Sequence, residues 1–295
     1  MAFGRIVRAV AGFFYVEPFE NQKEPLECCV RGKLKFFSSP VLVGDKVEYL
    51  VENEKGIITN ILPRENALQR PYIANVDLLV LVFSHKNPDP VDYLITKFLV
   101  LAEKSSIPYL ILFNKTDLVS KRNANLIAET YRSYGYQVLC TSVKEHLGKR
   151  KLLEALKGKV AVFAGPSGVG KSALLNMISP GLELQTGVVS QKIGRGKHTT
   201  REVQLYRSNK NSYIADTPGF SQISFEDISP NELTDLLPDF AQLREQCRFS
   251  TCLHLSEPDC GVKKALSEGK IKPNRYQDYI QLLNEIKDYW KNRFK

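Results

Sequence analysis

Three units in tandem are predicted from the chain: a small β-barrel of the OB-fold kind over residues 1–66, an α/β domain with a parallel sheet over 67–222, and a helical module over 223–295. Three observations carry this division. Five short apolar runs crowd the first sixty residues, strand-like runs alternate with helix-length segments from about Asn75, and after Gly219 the strand pattern gives way to helical spacing around a Cys/His cluster. At roughly 100–200 residues per domain, a chain of 295 residues suits two domains and a small module.

The barrel follows from spacing. GRIVRAV, GFFYVEP, LECCVRGKLKF, DKVEYLVE and GIITNIL are separated by Gly, Pro, Asn and charged turns. Short strands this close together form a small barrel or sandwich, and five of them fit the OB-fold; an SH3-like barrel fits the same spacing. The second unit opens with LLVLVF (78–83), an apolar run of the kind a strand buried on both faces needs. Val91, Leu94, Ile95, Phe98, Leu99 and Ala102 then recur at helical spacing. YLILF (109–113), VLCTS (138–142) and VAVFA (160–164) are further buried strands with helix-length segments between them, the pattern of a parallel sheet. VQLYR (203–207) and SYIAD (212–216) are close enough for a hairpin on that sheet. In the third unit Tyr279, Leu283, Ile286, Trp290 and Phe294 line one helix face, a packing stripe.

Composition excludes several classes. Apolar residues make up 43% and charged residues 25%, which is globular and not disordered. No stretch approaches the roughly 20 apolar residues that span a bilayer, so no membrane partner is expected. MAFGRIVRAVAGFFYVEP lacks a small-residue cleavage pattern and reads as a strand, not a signal peptide. Six cysteines are too few for a disulfide scaffold: Cys28 and Cys29 are adjacent, Cys140 is alone, and the other three cluster with a histidine, which points to a metal in a reducing compartment, the cytoplasm. The surplus of 41 Lys+Arg over 32 Asp+Glu, net +9, suggests a polyanionic partner.

GPSGVGKS (165–172) is a complete GxxxxGK[ST] phosphate loop after a predicted strand and before a predicted helix. Gly165, Gly168 and Gly170 let the backbone approach phosphate oxygens. Pro166, Ser167 and Val169 complete the loop, and Ala173 continues the helix whose N-terminus adds positive potential. Lys171 is expected to reach the β- and γ-phosphates and the Ser172 hydroxyl to hold Mg²⁺. NKTD (114–117) selects the base. The Asp117 carboxylate accepts two hydrogen bonds from guanine N1–H and its 2-amino group, and adenine lacks both donors, so a buried Asp117 would be left unpaired. Asn114, the Lys115 stem and Thr116 hold the base edge and face, and Thr141 and Ser142 stand ready to contact the base through main-chain N–H. In DTPG (216–219), Asp216 is expected to bind Mg²⁺ through water and the Gly219 N–H to meet the γ-phosphate. GRGKHTTRE (194–202) suits a mobile switch in which Thr199 or Thr200 gives its hydroxyl to Mg²⁺ when the γ-phosphate is present.

Two features set this arrangement apart. NKTD precedes the phosphate loop, the reverse of the Ras-like order; cutting the βα series at another surface loop preserves the spatial site. Gln usually follows DxxG to orient the attacking water, but here Phe220 does, so intrinsic hydrolysis should be slow and His198 is the candidate to complete the site. A non-catalytic, GTP-dependent RNA-binding adaptor is the alternative that Phe220 raises. In the last unit, Cys247-x₄-Cys252-x-His254-x₅-Cys260 offers three thiolates and an imidazole, a closed structural zinc set.

The order of NKTD, GPSGVGKS, GRGKHTTR, DTPGF and CRFSTCLHLSEPDC behind an OB-like barrel resembles the RsgA (YjeQ/YloQ) family of circularly permuted GTPases over nearly the whole chain. The resemblance implies late maturation of the small ribosomal subunit, binding through its rRNA, GTP hydrolysis to GDP stimulated by that subunit, and release afterwards. It also implicates His198 in the stimulated hydrolysis, and a monomer is expected. The charge adds one detail. Residues 1–63 and 223–295 are near neutral, whereas 64–158 carry 14 basic against 9 acidic residues and 159–222 carry 8 against 3. Six of these basic residues lie between Lys192 and Lys210, so the first switch itself is expected to face RNA.

Overall fold

The structure is a computed structural model that describes residues 1–20, 24–30, 40–69, 72–180, 182, 203–209, 211–216, 225 and 227–293. Strands β1 (Ala2–Val10), β2 (Phe13–Pro18), β3 (Leu26–Val30), β4 (Lys46–Glu52) and β5 (Lys55–Ile61) close a barrel in the order β1-β2-β3-β5-β4. Every pairing is antiparallel except β3 with β5. A closed five-stranded barrel in this order is the OB-fold arrangement. A bulge between Ile6 and Arg8 turns both Ile6 and Val7 inward, where they are buried. A short hairpin, β6 (Ala67–Gln69) and β7 (Tyr72–Ala74), leads out of the barrel. Here Gly44 is required: at φ +93 its backbone lies so close to the hairpin that a Cβ would sit 2.0 Å from the Ala74 carbonyl oxygen.

The second unit is a six-stranded sheet in the order β10-β9-β8-β11-β13-β12, comprising β8 (Leu78–Ser84), β9 (Tyr109–Asn114), β10 (Val138–Cys140), β11 (Val160–Ala164), β12 (Tyr206–Asn209) and β13 (Ser212–Asp216). All neighbours are parallel except the β12–β13 hairpin. Helices α1 (Asp92–Lys104), α2 (Lys121–Ser133), α3 (Lys149–Leu156) and α4 (Lys171–Ile178) cover its faces. The alternation of β8 sorts them. Leu79, Leu81 and Phe83 join Ile95, Phe98 and Tyr131 in a core continuous with that of the barrel, while Leu78, Val80 and Val82 join Leu152, Leu174 and Leu175 on the other side. Each such side chain contributes about 1.5–3 kcal/mol on leaving water.

The segment VQLYR departs from expectation. Its strand starts only at Tyr206, because Gln204 bridges to Arg8 of β1 and the Leu205 N–H donates to the Val7 carbonyl at 2.8 Å. The barrel offers main-chain partners there, and Leu205 is buried in the core shared with it.

The third unit packs α5 (Pro238–Arg244), α6 (Gly261–Ser267) and α7 (Pro273–Arg293) around Phe240, Val262, Leu282 and Leu283, together with Val100 of α1. The predicted stripe is realised: Tyr279, Leu283 and Ile286 are fully buried, and the half-buried Trp290 donates its Nε1–H to the Ile228 carbonyl at 2.8 Å. Phe294 lies outside the described residues.

Candidate functional site

The phosphate loop joins β11 to α4. A Cβ on Gly165 would lie 2.0 Å from the Val82 carbonyl oxygen, and one on Gly170, at φ +95, 2.5 Å from Asn114 Nδ2. Neither place admits a larger residue. The Lys171 ammonium donates to the carbonyls of Gly165 and Pro166, each at 2.8 Å, so it lies across the loop. Ser172 and Ala173 stand in the first turn of α4, the end of a helix that favours an anion.

NKTD is interlocked with this loop. Asn114 ends β9, is buried, and donates from Nδ2 to the Val169 carbonyl at 2.9 Å while its Oδ1 accepts from Thr141 Oγ1 at 3.2 Å. The Lys115 ammonium donates to the Gly168 carbonyl at 2.7 Å. Thr116 bonds the Thr141 carbonyl through both its N–H and its hydroxyl, at 3.1 and 2.9 Å. Ser142 donates its hydroxyl to Asp117 Oδ1 at 2.6 Å. Residues far apart in sequence thus converge at the carboxyl ends of β9, β10 and β11, where open parallel sheets bind ligands.

The remaining predicted residues are reached only in part. Asp216 pairs in register with Phe163, so its main chain runs beside the entry to the phosphate loop. The Asp216 side chain lies outside the described residues, as do His198, Thr199, Thr200, Gly219 and Phe220 in full. Two contributors escaped the motif reading. The Asn87 carbonyl accepts from the Lys115 ammonium, and the Ser84 hydroxyl donates to the Pro88 carbonyl at 2.6 Å. Their signal was an Asn-Pro dipeptide directly after a buried strand, which marks a turn at a ligand-binding strand end.

The second cluster lies in the helical unit. The donor atoms of Cys247, Cys252, His254 and Cys260 all lie within 4.8 Å of one another, so these residues could hold a metal ion. Cys247 Sγ and Cys260 Sγ are 3.9 Å apart, close to the edge of a tetrahedron with metal–sulfur bonds of about 2.3 Å. His254 turns Nδ1 toward Cys260 Sγ at 3.3 Å, and its Nε2 meets Thr234 Oγ1 at 3.1 Å, which in turn meets the Tyr279 hydroxyl at 3.2 Å. An outer partner of this kind orients a ligating imidazole. The N–H groups of Gly261 and Lys263 point at Cys247 Sγ and Cys260 Sγ, at 3.2 and 3.4 Å, as donors to thiolates would. Burial pushes the Cys252 thiol up to about 12 and the His254 imidazole down to about 4; a bound cation reverses the first.

Comparison with known proteins points to one family. The model of the RsgA GTPase family matches residues 61–226, and that of the RsgA N-terminal domain matches residues 3–58. The small ribosomal subunit biogenesis GTPase RsgA of Alkaliphilus metalliredigens is 45% identical, covering 99% of each chain. Its counterpart from Bacillus subtilis is 43% identical, covering 97% of each. Among solved structures, YloQ, described as a circularly permuted GTPase, superposes with a TM-score of 0.81 at 39% identity, covering 98% of this chain and 96% of its own. YjeQ from Thermotoga maritima gives 0.82 at 38%, covering 97% and 98%.

Proposed function

The chain belongs to the RsgA GTPase family, and from that premise we propose that this GTPase binds the small ribosomal subunit, assists its late maturation, and is released once GTP has become GDP. The single observation that supports the nucleotide reading is the interlock of Asn114 and Lys115 with the Val169 and Gly168 carbonyls, which holds the NKTD turn against the GxxxxGKS loop. In this reading Asp117 takes the guanine N1–H and 2-amino group, Thr116, Thr141 and Ser142 hold the base-side wall, and the loop from Gly165 to Ala173 holds the phosphates. Lys171 reaches the β- and γ-phosphates. Ser172, Asp216 and Thr199 or Thr200 supply oxygen donors suited to Mg²⁺, which would neutralise charge on the phosphate oxygens. His198 orients the attacking water, a task the Phe220 ring cannot perform, and the Gly219 N–H meets the γ-phosphate.

The Cys247, Cys252, His254 and Cys260 set is closed and sulfur-rich, which favours one structural Zn²⁺. The units over 1–66, 67–222 and 223–295 would act in the cytoplasm within one monomer, the outer two gripping rRNA on either side of the nucleotide. Among the described residues no helix is long and apolar enough to cross a membrane. The test is GTP turnover with and without purified small subunits. Stimulation by small subunits is expected; equal rates, or stimulation by large subunits alone, overturn the proposed partner.

A further inference from the structure

The loop after β8 belongs to none of the nucleotide motifs, yet it touches two of them. The β8–β9 ladder runs to its end: Ser84 pairs with Asn114, and the His85 N–H donates to the Asn114 carbonyl at 2.9 Å. The chain therefore enters the loop from a rigid base. Ser84, buried, closes it through the Pro88 carbonyl. Pro88 also faces the phosphate loop, 3.6 Å from where a Cβ on Gly168 would stand. Between them Asn87 sits at φ +53, the left-handed region that asparagine enters more readily than other side chains.

That conformation aims the Asn87 carbonyl at the Lys115 ammonium. The same ammonium donates to the Gly168 carbonyl at 2.7 Å. Two carbonyls on two different elements thus hold the tip of a side chain that otherwise rotates about four carbon–carbon bonds. Given that the site binds a guanine nucleotide, the geometry points to Asn87 as a positioning residue: its main-chain carbonyl holds the Lys115 ammonium against the phosphate loop and so lays the Lys115 stem along the face of the base. The effect acts at the base, which GDP and GTP share. It therefore changes their affinities by one factor and leaves the rate of the bound nucleotide alone. Asn87 is exposed, so changing it disturbs no core packing.

The test uses the full-length protein, fluorescent GDP and GTP for binding, and small-subunit-stimulated turnover for rate. Asn87→Val, whose β-branched side chain resists the left-handed region, is expected to weaken GDP and GTP alike by about tenfold, with turnover at saturating GTP unchanged. Asn87→Ala loses less, and Asn87→Gly, which adopts the conformation freely, recovers most of the affinity. In a Lys115→Met background Asn87→Val costs less than about twofold, because the group it positions is gone. Parent affinity in both Asn87→Val and Asn87→Ala overturns the role of Asn87 alone, as does an undiminished loss in the Lys115→Met background. A fall in nucleotide-free melting temperature that tracks the affinity loss across the three variants overturns it in favour of a structural role. If the unaltered protein binds neither nucleotide, the site reading fails with it.

Discussion

Arg275 on α7 and Arg5 on β1 both bury a guanidinium against the central sheet unit, one from each flank. Arg275 is satisfied. Its Nε and Nη2 grip Asp239 at 2.9 Å each, Nη1 donates to Thr96 of α1, and Nη2 also donates to the Tyr136 hydroxyl. Burial works against its charge, but the Asp239 carboxylate outweighs this and raises the pKa. Arg5 lies over the Tyr213 ring at 5.3 Å, and its Nε and Nη1 meet no hydrogen-bond partner among the described residues, nor does Nε of neighbouring Arg8. Burial lowers the Arg5 pKa, with Tyr213, Asp77, Glu65 and Glu17 offsetting only part. Both junctions share apolar packing with the sheet unit. They differ in polar matching: water would repay the unmatched arginine donors of the barrel junction on separation, and has nothing to repay around Arg275. Although Arg207 of β12 pairs with Glu17 of the barrel at 3.0 Å, the polar matching among the described residues predicts that the barrel parts from the sheet at lower cost.

The largest effect expected is at the Cys/His cluster, which among the described residues only the helical flank possesses. Structural zinc contributes on the order of 10 kcal/mol in small zinc-binding folds. Chelation, or Cys252→Ser, should strip amide protection from α6 and the adjoining part of α7 while β1–β5 keep theirs; equal loss in both flanks would break the contrast. Mass spectrometry of the metal should find one zinc per chain. Next comes Arg275→Ala, which leaves Asp239 buried without its cation and should cost about 3–5 kcal/mol in urea unfolding. The contrast also predicts that unmatched polar groups are costly wherever they occur. His85, buried in the sheet unit and stacked on Phe113, has both ring nitrogens without hydrogen bonds among the described residues. Burial lowers its pKa, so the folded state keeps it neutral while the unfolded chain takes a proton near its ordinary value of about 6.5. Between those two values the unfolded state holds more protons, so stability falls as pH drops below about 6.5 and continues to fall until the folded pKa is passed. His85→Leu should remove that part of the slope and add about 1–3 kcal/mol at neutral pH. Smallest of all, Arg5→Met should change stability by less than about 1 kcal/mol; a loss comparable to that of Arg275→Ala would show that the two junctions are alike.

Much of this architecture was legible from local pattern. Buried strands announced themselves as apolar runs, and the two nucleotide motifs carry their chemistry in contiguous residues. Pairing order was not legible, because the parallel contact of β3 with β5 is settled by barrel closure and not by either strand. The hairpin β6–β7 has strands of three residues, too short to show alternation. Arg275 reads as one more charged residue on an amphipathic helix, and its partners Asp239, Thr96 and Tyr136 are scattered along the chain. Thr234 and Asn87 act through contacts to distant residues, which no spacing rule encodes.

The sheet has a seam. β8, β9 and β10 come from one continuous stretch and β11, β12 and β13 from a later one, and the two triplets meet where β8 pairs with β11. The residues proposed to read the base lie on the first side and the phosphate loop on the second. On the proposed reading, the half that would recognise guanine leaves the ribosome first during synthesis, and the half that would grip phosphate follows seconds later at about 5–20 residues per second. A nascent chain cannot hold nucleotide until both have emerged. From that moment the ligand works as a rivet through the seam, and at a hundredfold excess over its Kd it adds about 2.7 kcal/mol to the finished fold.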